Sequence, residues 1–219
     1  MTTKFLPPIF PNMDIIHNAS SNTQIVLSVL SGMLFVAMAI LIGWSLIKVM
    51  ERNKFAVNRK LIIILMAVFS IALVLRYGMG IQTYQGLFLL IALIFASGSD
   101  IKFHAVDNFI WVVIIALSLV SIPTVGLASM LAGALLVFIP QIALAILPPH
   151  KTMGGADIKI STAIAFLLGG WRGVCASLIA LLVAVIVMSI RNKIKGKEQN
   201  AVFPYVPFIG IGAMVMFLV

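Results

Sequence analysis

The sequence predicts an all-α, polytopic transmembrane helix bundle of about eight spans. Three observations carry that reading. First, 62% of the 219 residues are hydrophobic and only 10% are charged, with a mean hydropathy of +1.18, whereas soluble domains average about 45–50% and about 25%. Second, the apolar residues form continuous runs, while membrane barrel strands alternate over about ten residues. A crossing helix takes roughly 20 apolar residues, so eight would use roughly 160 and leave about 60 for loops. Third, the basic residues gather in a subset of the loops. This composition excludes a disordered chain, a nucleic-acid module and a disulfide-stapled secreted domain. The formal charge of +9 would point to nucleic acid in a soluble protein. Here the tendency of Lys and Arg to stay in cytoplasmic loops accounts for it, and no nucleic-acid partner is expected.

The spans follow from apolar runs and charged breaks. Residues 1–23, polar and holding three prolines, are read as an extracytoplasmic tail without the apolar core of a cleavable signal peptide. Asn18-Ala19-Ser20 within it matches a glycosylation acceptor, a tripeptide common by chance. Span 1 is Gln24–Val49, span 2 Leu61–Leu75 and span 3 Ile81–Ser99. Span 4 is Val106–Val125, span 5 Leu127–Leu147 and span 6 Asp157–Leu168. Span 7 is Trp171–Ile190 and span 8 Pro204–Val219. Spans 2, 3 and 6 are short for a full crossing, so merging two of them is the alternative count. Loop charge favours eight. With both termini outside, twelve basic residues fall inside, including Lys102, Lys151, Lys159 and the run Arg191–Lys197, against Lys4, Arg76 and Arg172 outside. Such loops also meet anionic lipid headgroups. The domain reading is a tail over 1–23, N-terminal spans of open role over 24–80, and a catalytic membrane domain over 81–219 in an inner (plasma) membrane. The Met and Trp residues are read as lipid-facing packing and interface belts.

Chemistry needs polar groups, and few exist. Of six acidic residues, Asp14, Glu51 and Glu198 lie in polar loops, while Asp100, Asp107 and Asp157 lie at span boundaries. Ionisable groups beside spans are costly and mark candidate functional sites, although a single one also suits a plain helix end. The pair Asp100 and Asp157 is more informative. Gly98-Ser99-Asp100-Ile101-Lys102 recurs 57 residues later as Gly155-Ala156-Asp157-Ile158-Lys159. Two spans separate the copies, so parity returns both aspartates to one face. Two carboxylates that meet resist double ionisation and hold a single proton over a wide pH range. One can then act as base on a water while the other hydrogen-bonds a scissile carbonyl, as in aspartic proteases. Gly154, Gly155 and Ala156 would let a substrate backbone approach closely, or simply form a helix-start loop. Lys102 and Lys159 are candidates for substrate contact or for anchoring at the cytoplasmic face.

These motifs resemble the type IV prepilin peptidases, membrane aspartyl proteases of the GxGD type. Three stretches in order carry the resemblance over roughly 85–219: Asp100-Ile101-Lys102 with Val106-Asp107-Asn108, then Gly154-Gly155-Ala156-Asp157-Ile158-Lys159, then Phe203-Pro204-Tyr205-Val206-Pro207-Phe208 followed by Gly210 and Gly212. The resemblance implies an Asp100–Asp157 dyad and no metal or other cofactor. It implies a membrane-anchored, prepilin-like substrate cut after a leader Gly at the cytoplasmic face, in support of a pilus or a type II secretion-like assembly. Ala156 replaces the family's usual second Gly, and Asp107 stands where Pro is usual. Asp107 is read as a cap for span 4. The first 85 residues do not resemble the family's methyltransferase domain, whose cysteine tetrad is missing, since the chain has only Cys175. The peptidase-only members, including those of tight-adherence and archaeal-type pili, are the closer match.

Rival chemistries fit less well. Ser99 with His104 or His150 lacks a Gly-x-Ser-x-Gly elbow, and the His-Glu-x-x-His of membrane metalloproteases is absent. The non-enzyme alternative is a proton-coupled transporter, which would use acids on broken helices but place one near mid-membrane.

Overall fold

The computed structural model describes residues 21–55, 58–146, 154–195 and 203–219. The regular structure it describes is helical: α1 (Ser21–Arg52), α2 (Arg59–Tyr77), α3 (Ile81–Phe103), α4 (Phe109–Ser118), α5 (Ile122–Val125), α6 (Leu127–Ile146), α7 (Gly155–Leu168), α8 (Gly170–Lys195) and α9 (Val206–Leu218). A single 3-10 turn, Leu119–Ser121, joins α4 to α5, so the described helices form eight rods. They coincide with the eight apolar runs to within a few residues. The tail expected over 1–23 gives way to helix by Ser21, and its Asn18 and Asp14 lie outside the described residues, as do His150, Lys151 and Glu198.

Five of the helices (α1, α2, α3, α6 and α8) are long and apolar enough to cross a membrane. Their outward faces are apolar too: Leu41, Leu75, Leu136 and Leu182 are each at least 58% exposed. A water-soluble protein does not leave so extensive an apolar surface uncovered, so this is a membrane protein. α7 is different. Its 14 residues span about 21 Å, short of the ~30 Å hydrocarbon core. It is enclosed by α4, α6, α8 and α9, with Ile158, Ile160, Ile164 and Leu167 buried, which is how a short helix is tolerated at membrane depth.

Local chemistry explains the breaks. Asn58 caps α2, its side chain accepting from the Leu61 N–H at 3.2 Å. Pro123 lies in the first turn of α5; without an N–H, and crowding the carbonyl four residues back, it turns the apolar run Val106–Val125 into a helix, a 3-10 turn and a short helix. Gln85 of α3 answers that break, donating to Leu117 O at 2.8 Å and to Ser121 Oγ at 2.7 Å. The reversal between α7 and α8 needs Gly169, at φ 82, with Val125 and Ser129 against it.

Helices in lipid associate by close packing rather than by apolar burial from water, and small residues set the approach. A Cβ on Gly133 of α6 would stand 2.7 Å from the Ala165 carbonyl oxygen of α7, and one on Gly173 of α8 would stand 2.7 Å from Ala165 Cα. A Cβ on Gly212 of α9 would stand 2.1 Å from the Ala176 carbonyl oxygen of α8. α3 is the central long helix, over half buried in its apolar window against about a fifth for α1, α2 and α8. Methionine corrects the lipid-facing expectation: Met50, Met66, Met130 and Met214 are among the most buried side chains, where a flexible thioether fills irregular gaps. Trp44 and Trp171 are exposed, whereas Trp111 packs against the core.

Candidate active site

Asp100 sits in the last turn of α3. The helix stops at Phe103, and His104 caps it in the left-handed region (φ 50), its N–H returning to Asp100 O at 2.9 Å. The C-terminal end of a helix repels an anion, yet Asp100 is only 7% exposed. Its compensating donor comes from the opposite end of another helix. The Val206 N–H, first in α9, donates to Asp100 Oδ2 at 2.9 Å, and the Tyr205 amide acts on the same carboxylate. The sequence prepares this contact. The first N–H groups of a helix have no partner inside it, and Pro207 removes one of them. Tyr205 O accepts from Phe208 N at 3.0 Å and Ile209 N at 3.2 Å, leaving the Val206 N–H for Asp100.

Asp157 is the third residue of α7 and reaches back to the Gly154 backbone amide, one half of a capping box. A Cβ on Gly154 would lie 2.9 Å from Asp157 Oδ2, whereas nothing stands within 4 Å of a Cβ on Gly155. Asp157 itself is half-buried. Ser161 Oγ donates to Asp157 O and contacts Gln141 Oε1 at 3.0 Å, tying this turn to α6. The Asp100 charge acts on Asp157. His104 acts on Asp100, and the Tyr205 side chain lies in the field of Asp157.

The other residues singled out from sequence fall around this pair. Lys159 donates to Asn108 Oδ1 at 3.0 Å, linking α7 to the start of α4. Lys102 is exposed at the end of α3, and Ala156 is half-buried behind Gly155. Ser99 donates to Ala105 O at 2.8 Å, stabilising the turn after α3. The expected cap at Asp107 is not formed. The N-cap position is Asn108, and the Asp107 main-chain carbonyl, not its carboxylate, receives the Ile110 N–H at 3.2 Å. Tyr205 and Val206 were quoted from sequence only as part of a motif. Their signal was the pair of prolines, Pro204 and Pro207, framing a helix start. An apolar groove of about 370 Å³ runs between α1, α2, α3 and α9, and its lining includes Gly98, Ile101 and Pro207 beside Asp100. Among the described residues no group of three metal-ligating side chains forms.

The helix ends sort the charge. Lys48, Arg52, Lys54, Arg59, Lys60, Lys102, Lys159, Arg191, Lys193 and Lys195 belong to the aspartate end of the bundle, while Arg76 and Arg172 belong to the other. At that far end Arg76 donates to Leu218 O at 2.9 Å and Val219 O at 3.0 Å, and Tyr77 donates to Phe217 O.

No curated protein and no solved structure matches the chain. Residues 87–190 match a family described as the type IV leader peptidase family. That stretch runs from α3 through most of α8 and contains Asp100, Asp157, Lys102, Lys159 and the Gly154–Ala156 turn. Through that stretch, just under half of the chain, this helical membrane protein is similar to the type IV leader peptidases, a family of proteases.

Proposed function

We propose that the protein is an aspartyl endopeptidase that removes a basic leader from prepilin-like, membrane-anchored precursors at the cytoplasmic face. Its products would supply a pilus or a type II secretion-like assembly. The observation that supports the reading is the Asp100 charge acting on Asp157, which relates the end of α3 to the start of α7. A water between the carboxyls would lose a proton to one as it attacks the scissile carbonyl, while the other hydrogen-bonds the carbonyl oxygen. Gly154, Gly155 and Ala156 leave room for the substrate backbone. Lys102 and Lys159 stand at the rim, and the groove beside Asp100 is where an apolar segment of the precursor would lie. Both carboxylates occupy helix ends, the placement expected of a protease working at one face rather than of a mid-membrane proton relay. The direct test uses purified protein in lipid with a synthetic precursor carrying a basic leader, a Gly and an apolar helix. Mass spectrometry should find cleavage after that Gly. An intact precursor would count against the reading.

We further propose eight crossings of the inner (plasma) membrane, with residue 219 outside and the 50–60 and 191–200 loops in the cytoplasm, since most basic residues then stay inside. A phosphatase fusion after residue 219 should be active and one at residue 56 inactive. The reverse pattern would contradict this topology.

A further inference from the structure

We propose that the first turn of α9 divides the labour within the pair: the Val206 and Tyr205 N–H groups hold Asp100 as the ionised member that accepts the proton of water, and the shared proton stays on Asp157. The inference rests on the peptidase reading above. Backbone N–H groups donate and cannot accept, so their partner is favoured as a carboxylate. Among the described residues, Asp157 receives the Gly154 amide, and it faces both the charge of Asp100 and the Tyr205 side chain. Of the other described ionisable groups at this end of the bundle, Arg52, Lys54, Lys60, Lys102, Asp107 and Lys193 are exposed. His104, at the end of α3 itself, acts on Asp100. α4 has no titratable residue. On α1 and α2, Glu51 pairs with Arg59 and Lys48 lies over Trp44. On α7, Lys159 is held by Asn108. Val206 itself is fully buried, and α9 is held at its far end by Arg76 and Tyr77, so the donor cannot drift from its acceptor.

The assignment gives a balanced sequence. Asp100 takes a proton from water as the water oxygen bonds to the carbonyl carbon, and Asp157 gives its proton to the carbonyl oxygen. Collapse of this gem-diol returns a hydroxyl proton to Asp157. The protonated Asp100 passes its proton to the departing nitrogen as the C–N bond breaks. Val206 touches none of the reacting atoms and is a positioning residue.

The test replaces the peptide N–H of Val206 by an ester oxygen through nonsense suppression, with the equivalent ester at Tyr205 as a second variant. The readout is the pH profile of cleavage of the synthetic precursor. Loss of the donor should move the acidic limb of kcat upward by about one pH unit, with KM nearly unchanged. Val206→Ala, which keeps the N–H, should leave the limb in place. Unshifted limbs in both ester variants, or an equal shift in Val206→Ala, would overturn the assignment while leaving the peptidase reading intact. Failure of the unmodified protein to cut the precursor at any pH would remove both.

Discussion

Replacing Asp100 or Asp157 by Asn is expected to abolish leader cleavage, lowering the rate by roughly 10³-fold or more, while protein level and membrane insertion stay near normal. Asn is nearly isosteric with Asp but can neither take a proton from water nor deliver one to a carbonyl oxygen. The double variant should be no worse than either single, because residues that act as a unit lose everything at the first loss. Asp107→Asn is the control. Asp107 is exposed, and the helix start it precedes uses its main-chain carbonyl, so activity should stay within about twofold. The measurement is the mobility shift of a co-expressed precursor. Near wild-type trimming by Asp157→Asn would end the aspartyl mechanism and bring the transporter alternative forward.

The second large effect concerns packing. Gly212→Val should destabilise the bundle by about 3 kcal/mol, at the upper end of overpacking costs, and lower its melting midpoint by about 5–10 °C. The new Cβ would stand 2.1 Å from the Ala176 carbonyl oxygen and 3.1 Å from the Ala180 nitrogen. Both are backbone atoms of α8 and cannot rotate away, so α9 must move, and with it the Val206 amide. Activity should therefore fall together with stability. Two residues earlier, Gly210→Ala should be neutral or mildly stabilising, by up to about 1 kcal/mol, because its Cβ would meet Leu93 Cβ at 3.7 Å and Ser97 Oγ at 3.9 Å, ordinary contact distances. Thermal unfolding in detergent distinguishes the two. Equal midpoints would contradict the packing account.

Much of the bundle could be read from sequence because each helix here is a nearly unbroken apolar run ended by charge, Gly or Pro. Asn58 ahead of α2, and Gly78 and Gly169 at turns, mark boundaries by their own backbone chemistry. The short run Asp157–Leu168 was also visible, but not its cause, which is enclosure by neighbouring helices. The repeated Gly-small-Asp-Ile-Lys pattern and span parity put Asp100 and Asp157 at the same end of the bundle, where the structure also has them. Their settings could not be told apart. One copy ends a helix and the other begins one, and a five-residue pattern carries no helix direction. The contact from Val206 to Asp100 crosses 106 residues, so no local rule predicts it. The misassignment at Asp107 has a similar root, since Asp107 and Asn108 are both good caps and only backbone conformation chooses between them. Met33 and Met38 face outward as expected, but Met50, Met66, Met130 and Met214 do not, because hydropathy reports that a side chain is apolar without saying whether lipid or protein surrounds it.

The tie between α3 and α9 also bears on biosynthesis. Ribosomes deliver the chain from its N-terminus, so Asp100 and Asp157 are both made before the amide that answers Asp100. Until residue 206 has entered the bundle, the Asp100 carboxylate faces the unfavourable end of its own helix without its strongest donor. A nascent chain arrested before that point would hold both acidic residues yet lack a settled proton between them. With the pair acting as proposed, cleavage of precursor should begin only once residue 206 is in place.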